Sequence, residues 1–230
     1  NRDQLQFGQP GSQVFDFESS GRISVLNLTA GASLQMGDSI FVIRLAVLAL
    51  LITVGLGLLK ALSYLGFIEF LGISNMTNLH LGWGLAGWGL LLIIGVSYQV
   101  IPMFHVTPNY SKNIVKKLPL SIFVVLMGLS LDLSEPVMTV LLISLCLLLI
   151  IYAVYSFYLL SNRKRKIKDL TVYFWRLALV CLILVAILLA VNHVFTLDST
   201  ISNQLHILLG VMMIYGFIIS VIIGMLQKII

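Results

Sequence analysis

Leu79-His80-Leu81-Gly82-Trp83-Gly84-Leu85-Ala86-Gly87-Trp88-Gly89-Leu90-Leu91-Leu92-Ile93-Ile94-Gly95-Val96-Ser97-Tyr98-Gln99-Val100-Ile101-Pro102 decides the fold. It contains no lysine, arginine, aspartate or glutamate and a single histidine. A hydrocarbon core about 30 Å thick needs roughly 20 apolar residues per helical crossing, so the stretch is long enough to span a bilayer. An ionisable ring inside such a segment is costly and by default marks a function.

The rest of the chain has the same character. It is 59% hydrophobic and 10% charged, with a mean hydropathy of +1.05, whereas soluble domains carry roughly 25% charge. These values specify an all-α, polytopic membrane helix bundle. Six spans are expected, at about 40–59, 79–104, 118–133, 136–160, 172–195 and 204–226. Pro119 and Pro136 suit first helical turns, and Pro102 is expected to kink or end the second span. Residues 61–73, with Glu69 and Gly72, read as an interfacial helix or re-entrant turn. Residues 1–38 form a polar tail in which alternation at 14–17 and 23–28 suggests a β-hairpin or a loosely ordered segment. Residues 39–230 form the transmembrane domain. The chain opens on Asn1 and closes on an apolar run, 226–230, which reads as part of something longer.

Alternating the spans sorts the charges. Eleven basic residues, with clusters at 112–117 and 163–168, fall on one side and Lys60 alone on the other. The positive-inside rule puts the basic side and the N-terminus in the cytoplasm, with a bacterial inner membrane as the expected location. The net charge of +5 therefore reports topology and contact with the lipid bilayer, not affinity for nucleic acid. Arg44 and Arg176 lie in first turns, where they snorkel. The opposite loops hold Glu69, Asp132, Glu135 and Asp198. These acids either attract a cation or basic redox partner or simply complement the basic side. Cys146 and Cys181 lie inside spans without metal-ligand spacing and read as small apolar residues.

Within the second span, 100° per residue sets His80, Gly84, Gly87, Leu91, Gly95 and Tyr98 on one stripe. The sixth span sets out His206, Gly210, Met213, Phe217 and Gly224 in the same way. The two histidines are 126 residues and four spans apart, so an internal four-helix repeat would place them on parallel helices near the outer face. Small residues beside an intramembrane histidine allow close helix approach, or room for a macrocycle whose iron the histidine ligates. His80 and His206, with Gly84 and Gly210, are the candidate cofactor-binding residues. His193 joins the two histidines as a candidate ligand for iron, copper or zinc, or else sits with Asn192 among headgroups. His105 reads as interfacial.

The stretches 79–84 and 95–102 resemble a histidine-bearing helix of the haem–copper oxidase subunit I superfamily, nearest the oxidase-like membrane proteins associated with nitric-oxide response. That resemblance implies four-helix units in pseudo-threefold array, with histidines on helices two, six and ten near the outer face. It makes His80 an axial ligand of a b-type haem, and His206 a ligand of a second centre or copper. The 230 residues hold no adjacent histidine pair and no tenth helix; if they are the whole protein, a second axial ligand falls to His193, His105 or another subunit. The expected function is haem-based redox or nitric-oxide chemistry. Two alternatives are a permease using Ser97, Tyr98, Gln99 and Ser220, and a structural or assembly subunit.

Overall fold

The computed structural model describes residues 14–66, 73–131, 133–164, 169–195 and 199–229. The chain divides into two compact units, Asn1–Gly37 and Asp38–Ile230. The described residues form six helices and no strand. They are α1 (Val14–Tyr64), α2 (73–105), α3 (Lys112–Leu129), α4 (Glu135–Ser161), α5 (Leu170–Val194) and α6 (199–229). Five stretches are long and apolar enough to cross a bilayer: Gly37–Tyr64, Met76–His105, Glu135–Ser161, Leu170–Val194 and Thr200–Lys228. The chain is a multi-pass helical membrane protein.

Several expectations change. The residues read as a hairpin, 14–17 and 23–28, are α-helical. Two isolated strands bury too little to hold together, whereas a helix closes its backbone hydrogen bonds within itself. Residues 67–72 of the proposed interfacial or re-entrant segment, Glu69 and Gly72 among them, lie outside the described residues, while 61–64 continue α1. The third span begins at Lys112 and ends at Leu129, not at 118–133. Its first six residues include Lys112, Lys116 and Lys117, which is why it falls outside the five apolar spans. Pro119 consequently lies inside α3, while Pro136 does occupy the first turn of α4. Pro102 does not end α2, which runs on to His105 and stops at Val106 in the left-handed conformation, φ 51°.

Contacts define the two ends of the bundle. At the basic end, Lys116 pairs with Asp38 at 3.2 Å, and the Lys164 amide donates to the Val106 carbonyl at 3.1 Å. There too Lys228 reaches Asp169. At the other end, Trp83 Nε1 donates to Ser130 Oγ at 2.8 Å, and Thr139 meets His193 at 2.9 Å. Each helix therefore runs opposite to the one before it, and α3 leads from the basic end, at Lys116, to the other, next to Ser130. α2 is the central helix, with 61% of its span buried against 22–33% for the other four.

In lipid, helices gain little from burying apolar surface against one another, so close packing at small residues carries association. A methyl group built on Gly87 would lie 3.1 Å from Ala49 Cβ, and one on Gly95 would lie 3.3 Å from Val42 Cβ. On α6, Gly216 meets Cys181 Cβ at 3.0 Å and Gly224 meets Phe174 Cβ at 3.1 Å by the same measure. Both α2 and α6 also carry an eight-residue π-helical stretch, Trp83–Leu90 and Met212–Ile219. The glycines and π stretches repeat at 129 residues. Their partners on α1 and α5 repeat at 132, as does Arg44-Leu45-Ala46 with Arg176-Leu177-Ala178. The α1–α2 and α5–α6 hairpins are thus two versions of one unit.

That register corrects the one read from the histidines. At 129 residues His80 aligns with Leu209, and His206 with Thr77. The histidines are offset by three residues, about one helical turn.

Two outcomes test the packing. Gly87→Ala drives a methyl to 2.9 Å from the Trp83 ring, which Ser130 anchors, and should cost about 1–3 kcal/mol in detergent unfolding. Gly210→Ala, which meets nothing within 4 Å, should be neutral or slightly stabilising. Equal effects would show that close approach is not the constraint. The basic end gives a pH test. Asp169 caps α5 by accepting from the Thr171 amide, and the Lys228 hydrogen bond pulls its carboxyl down to about 2. A depressed carboxylate contributes fully above its ordinary value, about 3.9, and that contribution is lost as pH falls toward the folded value. Stability should drop between about pH 4 and 2, and Asp169→Asn should flatten part of that limb. An unchanged limb would assign the acid sensitivity elsewhere.

Candidate functional site

The non-basic end gathers three histidines, each in a different setting. His80 stands two turns before the middle of the α2 π stretch and is half-buried. Its Nδ1 lies 3.0 Å from the Thr53 carbonyl of α1. A carbonyl only accepts, so Nδ1 carries the proton and a neutral His80 presents its lone pair at Nε2. The Thr53 hydroxyl is turned back to the Ala49 carbonyl at 2.8 Å and takes no part. Gly57 is the floor beneath the ring, since a Cβ there would lie 3.0 Å from Cε1 and 3.3 Å from Nδ1.

His193 ends α5 and is exposed. Its Nε2 meets Thr139 Oγ1 at 2.9 Å, while that hydroxyl donates to the Glu135 carbonyl at 3.0 Å. The carbonyl and the imidazole share the one hydroxyl proton of Thr139, and the His193 tautomer sets which way its contact runs. His206 is also exposed, with Nε2 3.3 Å from Asn192 Nδ2. Asn192 and His193 being consecutive, α5 holds both rings at its last turn. His80 finds its partners on α1 instead. Among the described residues, no three or more histidine, cysteine or acidic side chains gather as a metal-binding group.

The glycine stripe has a clear purpose. Gly84, Gly87 and Gly95 pack on Thr53, Ala49 and Val42 of α1, and Gly89 on Ile218 of α6. Gly84 is a contact residue for α1. Gly210 alone of the two candidate glycines opens onto space.

His105 lies at the opposite, basic end, as the last residue of α2, and is buried at 4% exposure. Its Nε2 has no hydrogen-bond partner among the described residues. Nearby is a polar cluster the sequence only partly disclosed. Tyr152 donates to Ser97 at 3.0 Å, Ser97 donates to the Ile94 carbonyl, and Tyr110 shares a 2.9 Å hydrogen bond with Ser156. Ser97 was expected on a polar path, but Tyr110 sits in the α2–α3 connection, where spacing gives no clue to its depth. Toward the other end, α2 continues with Ile94, Leu91 and Leu90, all fully buried. The hydroxyl cluster stops against apolar packing.

No protein-family model, curated protein or solved structure matches the chain.

Proposed function

We propose that the chain is a haem-binding membrane protein similar to haem–copper oxidase subunit I, acting in redox or nitric-oxide chemistry. The observation that carries the reading is the commitment of His80 Nδ1 to a backbone carbonyl, which leaves Nε2 unbonded among the described residues. Metal-ligating histidines typically donate their other ring nitrogen in this way, which fixes tautomer and orientation. The donor set fits one imidazole ligand on the α1–α2 face. A b-type haem would supply reversible one-electron chemistry there. His80 would hold the iron, while Thr53 and Gly57 orient the ring. His206 and His193, held at the end of α5, are the candidates for a second ligand or a copper site.

By the positive-inside rule the end bearing Lys112, Lys116, Lys117, Arg163 and Lys164 faces the cytoplasm, in a bacterial inner membrane. The histidine end then faces out, where a redox partner or further membrane subunits would dock. The competing permease reading draws on the Ser97–Tyr152 and Tyr110–Ser156 hydroxyls. It is weaker because that cluster ends against Ile94 and Leu91.

The protein purified from membranes should show a Soret band that His80→Ala abolishes, while His105→Ala, at the far end, keeps it. The absence of a Soret band from the wild type, with or without added hemin, would overturn the proposal.

A further inference from the structure

We infer that Gly57 and the Thr53 carbonyl of α1 are positioning elements dedicated to His80, which hold the Nδ1–H tautomer and aim Nε2 at a transition-metal centre that takes a neutral imidazole. The inference rests on the proposed function for the identity of the ligand, but not for the state of the ring.

The duplicated hairpin makes the argument specific. Two contacts on this face of α2 are shared by the two versions: a glycine in the π stretch and a second glycine eight residues on, with partners seven apart on the preceding helix, whereas Gly84, which meets Thr53, corresponds to Met213. The histidine seat is not shared. At the registers that align the hairpins, Thr53, Gly57 and His80 correspond to Val185, Leu189 and Leu209. Val185 and Leu209 are both 7% exposed, so the second version closes this level with aliphatic side chains. The scaffold therefore packs well without a polar group here. In the first version two changes accompany the imidazole. One is loss of the whole side chain at 57, where even a methyl group would press on Cε1. The other is a polar contact made through the backbone of residue 53, which no side-chain substitution there removes.

Chemistry explains the arrangement. Free in water, the neutral imidazole of histidine prefers its proton on Nε2. Donation of Nδ1–H to a buried carbonyl reverses that preference, fixes the ring plane and leaves the lone pair on Nε2. Displacement of the ring by a side chain at 57 would break the Thr53 contact and return the proton to Nε2.

The test uses the full chain labelled with ¹⁵N-histidine in nanodiscs at pH 8, with the His80 signals assigned from His80→Gln. Two-bond ¹⁵N–¹H correlations report which ring nitrogen carries the proton. The wild type and Thr53→Val should show Nδ1–H, since the valine keeps the carbonyl. Gly57→Ala should shift His80 to Nε2–H, and Gly55→Ala, which meets nothing within 4 Å, should not. Hemin titrated into the same samples should bind Gly57→Ala at least tenfold more weakly than Gly55→Ala, in the range for lost outer partners of metal ligands. The double variant Gly57→Leu/His80→Leu, which copies the second hairpin, should fold as the wild type does and bind no hemin. An Nε2–H tautomer in the wild type would overturn the inference, whether or not any variant folds. So would an unchanged tautomer in Gly57→Ala. The expected tautomers without hemin binding would overturn the haem reading and leave the seat in place.

Discussion

The contact between α1 and α2 at Gly87 and Gly95 is the constraint from which the rest follows. With lipid on the outside, exposed leucines and valines gain nothing by turning inward, so helix order depends on where backbones can come close. Ala49 and Val42 fit against bare α2 backbone at those two points. The same approach carries Thr53 and Gly57 to the level of His80. Without it the histidine would face hydrocarbon, and its Nδ1 would have no carbonyl to meet.

Around this pair the bundle closes through a few polar fastenings at its ends. Asp38–Lys116 and Asp169–Lys228 bind the basic end, and Trp83–Ser130 and Thr139–His193 bind the other. Between them the core is almost wholly apolar, apart from the hydroxyl cluster around Tyr152 and Tyr110. Polar contacts cost least near the interfaces, where water can satisfy whatever the protein leaves over. The chain places most of its hydrogen-bonding side chains there and keeps the middle for shape.

Much of this could be read from the chain, because membrane spans announce themselves by length and charge. Keeping the basic clusters at 112–117 and 163–168 on one side required two passes between them, and α3 and α4 run from one end of the bundle to the other and back. The stripe of His80, Gly84, Gly87 and Gly95 was legible too, and it does lie along one neighbour. Its meaning was not, since a glycine left open for a cofactor and one filled by a neighbour look alike in sequence. The pairing of His80 with His206 misled for a related reason. Both follow apolar-span grammar closely enough to align at 126 residues, yet the backbone aligns at 129. The π stretches that reveal this leave no composition signal. The tail hairpin failed because short alternation in a polar segment does not distinguish a strand from a helix.

The paired π stretches have a mechanical consequence. A π turn holds one residue more between bonded partners than an α turn. Conversion of either stretch to α-helix would therefore rotate everything beyond it about the helix axis. The two stretches touch, with Ile218 of α6 seated in the space left by Gly89 of α2. Rewinding of the α6 stretch about Ile218 would press that isoleucine onto α2 at Gly89, inside the other π stretch. The contact couples the two stretches, while the histidine rings rest on different neighbours.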